Sequence, residues 1–177
     1  MSTLMKIQLV ALDVDGVLTD GRVTYTSAGE ELKSFNIKDG LGLKLLRDAG
    51  IELAIITGRV SPMVERRARE LGIAHLIQGR EDKIVALQAL CNDLNVNREQ
   101  VAYMGDDLPD LAAIEWAALG AAPADGHPLV RAHADWVASR NGGQGAVREL
   151  AEHILRAQGR LADTLAAYRL QKDGDNA

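Results

Sequence analysis

The chain has a single cysteine, Cys91, so no disulfide can close within it, which fits a reducing compartment. It has no apolar run approaching the ~20 residues that a membrane-spanning helix needs. The opening MSTLMKIQLVALDVD is broken early by charge and carries no long apolar core before a cleavage-like site, which argues against a secretory leader. A basic surplus is also missing. The formal net charge is −5 at pH 7, whereas a nucleic-acid backbone wants a basic face, so no nucleic-acid partner is expected. Internal repeats and low-complexity tracts are absent as well. What is present is ordinary for a globular chain: 177 residues, 47% hydrophobic and 25% charged, enough for one domain with a substantial core. We expect a single domain over residues 1–177, with the closing KDGDNA as a solvated tail.

Apolar runs at Ile7–Leu12, Ile51–Ile56 and Val101–Met104 read as buried parallel strands. Shorter strands are predicted at His75–Ile77, Ala117–Leu119 and Asp135–Ala138. Between them, apolar residues recur at helical spacing. Leu41, Leu45, Leu46 and Ala49 share a face before Gly50, and Ser61–Pro62 opens a helix that runs to Leu71 and Gly72. Ile84, Leu87, Leu90 and Leu94 mark the next helix, and a short one is expected around Leu108–Ile114. Val147, Leu150, Ala151 and Ile154, then Leu161, Leu165 and Tyr168, give a helical tail over about residues 144–177. Such alternation predicts an α/β fold, a doubly wound and mostly parallel sheet. The exception is Arg22–Thr26 and Glu31–Phe35, which flank Ser27–Glu30 as a β-hairpin. This insertion, about residues 21–36, is too small to be a domain.

The chain is organised around Leu9–Gly21, LVALDVDGVLTDG. Its apolar run ends in Asp13 and Asp15, with one residue between them. If the strand continues through Asp15, both carboxylates face one small volume at its carboxyl end, where open α/β sheets bind ligands. Two like charges so close call for a cation or a shared proton. A capped strand followed by an Asp-Gly turn is the plainer reading of this stretch alone. Three further segments also follow buried strands or open helices. Thr57, in IITGR, offers a hydroxyl beside a Gly turn that can hold a phosphate oxygen, and Arg59 can add a bidentate contact. Lys83, in GREDKIVAL, stands in a first helical turn against the helix dipole, which makes sense if it reaches an anion. GDDLPD brings Asp106, Asp107 and Asp110, and oxygen ligands of this kind suit Mg²⁺. Taken alone, Thr57 and Arg59 read better as a loop threonine with a surface arginine, and the other two also read as a solvated lysine and an acidic loop with a helix cap.

In order, D-x-D-G, T-G-R, a lysine and G-D-D-x-x-D resemble the four motifs of the haloacid dehalogenase superfamily of phosphohydrolases. DVDGVLTDG, the hairpin leading into FNIKDG, the TGR segment, HLIQG before the lysine, YMGDDLPD and GGQGAVREL are similar to a small, capless branch acting on sugar-acid phosphates. The likeness spans nearly the whole chain and implies a Rossmann-like fold without a cap domain. It implies Asp13 as nucleophile and Asp15 as general acid and base. Mg²⁺ would sit between Asp13, the backbone carbonyl of Asp15 and Asp106, with Thr57 and Lys83 on the phosphoryl group. Implied substrate contacts are Asp15, Asn36, Ile37, Lys38, Asp39, Gly40, Lys44, Arg59 and Arg67. Lys38 and Lys44 stand where octulosonate phosphatases carry Arg, keeping charge but losing the planar fork. Arg67 also reads as an exposed helix residue.

The resemblance further implies 3-deoxy-D-manno-octulosonate 8-phosphate (KDO 8-phosphate) as substrate, in lipopolysaccharide precursor synthesis. The alternatives are another sugar-acid phosphate of the acylneuraminate 9-phosphate type, or a non-catalytic oligomerisation module. A module would not need Asp13, Asp15, Thr57, Lys83 and Asp106 together. A homotetramer is implied in which hairpins pack together and a neighbour completes each site. The segment after Gly142–Gly143 is either a closing flap or a plain loop before a helix. The substrate and the missing export signal together imply a cytoplasmic location.

Overall fold

Strand β1 (Leu9–Leu12) is buried along its whole length because both of its faces are covered. It pairs in parallel with β4 (Glu52–Ile56) on one side and with β6 (Val101–Met104) on the other. β5 (His75–Ile77) lies outside β4, while β7 (Leu119–Ala122) and then β8 (Trp136–Val137) lie outside β6. The computed structural model describes residues 3–170, and the predicted solvated tail KDGDNA lies outside the described residues. Among the described residues the main sheet is therefore six-stranded and parallel, in the order β5-β4-β1-β6-β7-β8. The winding direction reverses at β1, and such a reversal opens a crevice at the carboxyl ends of the strands.

The pleat of β1 distributes its residues between two cores. Val10 and Leu12 pack with Leu53, Ile55, Ala102 and Met104 under α1 (Ile37–Asp48), α2 (Pro62–Leu71), α6 (Ala146–Ala157) and the start of α7 (Leu161–Leu170). Leu9 and Ala11 pack with Ile56 and Tyr103 under α3 (Lys83–Leu94), α4 (Leu111–Trp116) and α5 (Pro128–His133). Helices on both faces make the sheet doubly wound, as the alternation predicted, and no cap domain occurs among the described residues. No helix there is long and apolar enough to cross a membrane.

The predicted hairpin is short. Its ladder joins only Thr24–Tyr25 (β2) to Glu31–Leu32 (β3). Three details differ from expectation. The strand placed at Ala117–Leu119 is found at Leu119–Ala122, because Ala117 closes α4 and an alanine-rich run has no periodicity to mark its boundary. α5 was not foreseen, since only Val130 of its six residues is buried. The segment read as a helical tail is core at its start: Val147, Leu150, Ala151, Ile154 and Leu155 of α6 are fully buried. Before α6, Gly142–Gly143 forms a fixed loop. The Gly143 N–H donates to the Val17 carbonyl (2.9 Å), and the Gly142 N–H to the Asp125 carboxylate (2.9 Å).

Candidate active site

The carboxyl ends of β1 and β6 and the start of α3 meet in one buried cluster. Asp13 follows β1, and its N–H donates to the Met104 carbonyl of β6 (3.0 Å). Being odd-numbered, it continues the Leu9–Ala11 face, toward α3. There Lys83, the first residue of α3, places Nζ 2.9 Å from Asp13 Oδ2 and 2.7 Å from Asp110 Oδ1. This explains a lysine at a helix start: two carboxylates outweigh the dipole. Lys83 is itself buried, which lowers an ammonium pKa, yet Asp13 and Asp110 together hold it above its ordinary value.

Asp110 is the anchor of the cluster. Oδ1 accepts from Lys83 and from the Tyr103 hydroxyl (2.7 Å), and Oδ2 accepts from the N–H groups of Asp106 (3.1 Å) and Asp107 (3.3 Å). With both oxygens engaged, it orders the lysine and the loop. Asp107 is exposed and caps the turn at Leu108 through its side chain. Gly105 is needed here because a Cβ would lie 2.3 Å from Asp110 Cβ.

Asp13, Asp106 and Asp110 bring carboxylate oxygens within 4.8 Å of one another. Burial first, then neighbouring carboxylates, pushes the Asp13 and Asp106 carboxyls up to about 7. Asp106 Oδ1 is buried and, among the described residues, accepts no hydrogen bond. A buried carboxylate oxygen without a donor, set among like charges, fits a hard divalent cation. Because the oxygens of Asp110 are already occupied, Asp13 and Asp106 are the side chains free to hold the ion.

Asp15 does not share this volume. The strand ends at Leu12 and the chain turns, with the Val14 carbonyl accepting from the N–H groups of Val17, Leu18 and Thr19. The expected side-by-side pair of Asp13 and Asp15 is thus replaced by Asp13 with Asp106 and Asp110. Asp15 instead pairs with Lys33 of the hairpin and lies 4.0 Å from Arg59 Nε. Gly16 passes so close to Asp106 that a Cβ would lie 2.0 Å from Oδ2, and its φ of +88° suits glycine alone. Thr57 is buried at the end of β4, where its hydroxyl accepts weakly from the Arg59 N–H (3.4 Å).

The remaining sequence-predicted contacts are dispersed. Arg59 is half exposed and bonded to Glu31 (2.8 Å). Arg67 is not the exposed helix residue of the plainer reading: it lies over the Phe35 ring at 5.8 Å and against Gly40. Asn36 caps α1 by accepting from the Lys38 N–H and donates to the Gly143 carbonyl (3.1 Å). Asp39 is buried, accepting from the N–H groups of Gly145 and Arg148 at the start of α6. The structure therefore places Asp39 at a helix junction and not in the cluster. Ile37, Lys38 and Lys44 are exposed. Sequence reasoning missed Lys33, Glu31, Tyr103 and the anchoring part played by Asp110. A signal was available for two of them: Glu31 and Lys33 are two apart in the strand expected at Glu31–Phe35, which would put them on one side.

Carboxylates and a buried lysine at the switch point of a doubly wound sheet define a site for phosphoryl chemistry. Comparison with known proteins agrees. The model of the haloacid dehalogenase-like hydrolase family matches residues 72–150. A 3-deoxy-D-manno-octulosonate 8-phosphate phosphatase of Salmonella typhi is 47% identical over 161 residues, 91% of this chain and 86% of the relative. The phosphatase of that name from Moraxella catarrhalis, in complex with magnesium, phosphate and KDO, superposes with a TM-score of 0.92 at 48% identity, covering 94% of this chain and 95% of that one. The cobalt-bound octulosonate phosphatase of Haemophilus influenzae gives 0.88 at 42%, covering 93% and 99%. The chain belongs to the 3-deoxy-D-manno-octulosonate 8-phosphate phosphatase family of the haloacid dehalogenase-like hydrolases.

Proposed function

We propose that the protein is a Mg²⁺-dependent phosphatase that converts KDO 8-phosphate to KDO and phosphate, a step in lipopolysaccharide precursor synthesis. The observation that carries the reading is the partnerless, buried Asp106 oxygen beside Asp13, with Lys83 on the other side of the nucleophile. The substrate follows from relatives of 47% and 48% identity that bear this activity or hold KDO.

Asp13 attacks phosphorus, the bond to the sugar oxygen breaks, and Asp15 gives that oxygen its proton. Water then attacks the aspartyl-phosphate, passing a proton back to Asp15 and releasing Asp13. Asp13 and Asp106, with the Asp15 backbone carbonyl, would hold Mg²⁺, which would screen these carboxylates from the phosphate dianion. Lys83 offsets the charge of Asp13 and helps bind the phosphoryl group, and Thr57 supplies a hydroxyl to it. Arg59, beside Asp15, is the contact we assign to the sugar acid. Arg67, Asn36, Ile37, Lys38, Gly40 and Lys44, on and beside α1 and α2, are the further substrate contacts we assign in this reading.

The protein assembles as a homotetramer in this reading, supported by the apolar surface of the hairpin and the start of α1. Val23 (42%), Tyr25 (62%) and Leu32 (51%) of the hairpin and Ile37 (80%) of α1 are exposed, apolar surface that an interface between copies would cover. A cytoplasmic location goes with a phosphorylated sugar acid, whose charges keep it from crossing a membrane.

The test is phosphate release with and without Mg²⁺ from KDO 8-phosphate, N-acetylneuraminate 9-phosphate and glucose 6-phosphate. Metal-dependent turnover favouring KDO 8-phosphate is expected. Preference for the acylneuraminate would move the substrate and keep the mechanism. No release from any of the three by folded, metal-loaded protein would leave a binding module.

A further inference from the structure

The hairpin does more than present an apolar edge. Glu31 on its return strand and Lys33 just past that strand's end both reach into the space beside Asp15. The Lys33 side chain is only 1% exposed, although lysine normally keeps its ammonium in water. Nζ pairs with Asp15 Oδ1 and lies 3.2 Å from Glu31 Oε1. Glu31 Oε2 in turn accepts from Arg59 Nη2 (2.8 Å), and Arg59 Nε lies 4.0 Å from Asp15 Oδ2. The four charges form a closed, alternating ring with no net charge. Within it the two cations are unequal. Arg59 is 45% exposed and can exchange its bond to Glu31 for one to a ligand, whereas Lys33 is enclosed and cannot leave without abandoning two carboxylates.

We infer that Lys33 is a positioning residue for Asp15. It holds one carboxyl oxygen from the hairpin side, so that the other is presented to the leaving-group oxygen. The turn after β1 needs such a hold. Asp15 lies past the end of the strand, where no sheet pairing fixes it, and its side chain has turned away from the Asp13 cluster. Glu31 backs the lysine, and Arg59 is left for recognition. The hairpin thereby becomes part of the catalytic frame, and whatever packs on its outer face steadies Asp15 through Lys33. The inference rests on the reading of Asp15 as the acid that protonates the leaving oxygen.

Its consequence is a dependence on the leaving group. An alkoxide leaving a phosphate needs a proton in the transition state, whereas a nitrophenolate does not. The measurement is kcat/KM, which ends at phosphoryl transfer to Asp13, for Lys33→Met, Lys33→Arg and Asp15→Asn. The substrates are KDO 8-phosphate, glucose 6-phosphate and p-nitrophenyl phosphate. Lys33→Met is expected to lose about 10²-fold on both sugar phosphates and less than about threefold on the aryl phosphate. Lys33→Arg should recover part of that loss. Lys33→Gln, which can still donate to Asp15, serves if Lys33→Met does not fold by circular dichroism.

An equal loss on all three substrates would make Lys33 a structural support and overturn the inference. Loss confined to KDO 8-phosphate would make it a contact for the sugar-acid carboxylate and also overturn it. Asp15→Asn separates the two levels of the argument. If it shows the leaving-group split while Lys33→Met does not, the positioning role fails and the acid stands. If Asp15→Asn shows no split, Asp15 is not the acid, and the role of Lys33 falls with it.

Discussion

Lys83 shows how a single side chain can tie a site together. It is buried between Asp13 and Asp110, and removing one partner of such a pair strands the others without water. Asp110→Ala is therefore expected to destabilise the protein by about 3 kcal/mol or more, read from urea unfolding, because it also unseats the Tyr103 hydroxyl and two backbone N–H groups. Asp13→Asn leaves Lys83 its Asp110 partner, so the fold should survive while turnover drops by at least about 10³-fold. Near-normal turnover would show that Asp13 is not the nucleophile.

The raised carboxyls of Asp13 and Asp106 carry a pH signature. Both titrate near 7 in the folded protein, against about 3.8 when unfolded. Between about pH 4 and pH 7 the metal-free fold holds protons that the unfolded chain has released, so these groups cost stability as pH rises through that window. A divalent cation takes the place of the protons. Asp106→Asn removes one such group. In EDTA it should stabilise the protein at pH 7 relative to pH 5, by about 2 kcal/mol, while abolishing the rise in Tm that Mg²⁺ gives the parent. Thermal melts of both proteins at the two pH values check this.

At the scale of elements, the turn after β1 decides most. Its tight hydrogen bonding to the Val14 carbonyl swings Asp15 toward the hairpin, and Gly142–Gly143 is packed against the same turn. A Cβ on Gly142 would lie 1.7 Å from the Gly16 carbonyl oxygen. Gly142→Ala must therefore displace one loop or the other, at a cost of about 2 kcal/mol, with weaker Mg²⁺ binding because Gly16 abuts Asp106. Calorimetric titration with Mg²⁺ and thermal melting would record both effects. Unchanged metal affinity would show that the two loops give way independently. The elements themselves were largely legible. β4, β5 and β6 and the helices around Leu45, Val64, Leu87 and Val147 follow runs and faces visible in the chain. α5 was not, since one buried residue in a helical turn and a half leaves no stripe to read.

At the scale of the whole molecule, the sheet order sets the active-site crevice between β1 and β6, and the hairpin projects from the first crossover. Sedimentation equilibrium should give about four times the monomer mass. Tyr25→Glu together with Leu32→Glu, which place charge on the exposed hairpin, should shift it toward smaller species and reduce turnover by about tenfold or more if a neighbour completes the site. A monomer of full activity would remove the tetramer from the proposal.

By itself the sequence determined the layers, the central strands and the polar residues that end them. A strand covered on both faces must be apolar throughout, and the polar motif that breaks each run marks its exposed end. Asp13, Thr57 and Asp106 were found in this way. Only the tertiary structure decided which charges share a space. Asp13 meets Asp106 and Asp110 through the β1–β6 pairing, while Asp15, its near neighbour in sequence, is carried off by a turn to Lys33. Periodicity records which face of an element is buried. The turn that ends a strand and the order of strands in the sheet are not written in that period, and here they decide which side chains meet.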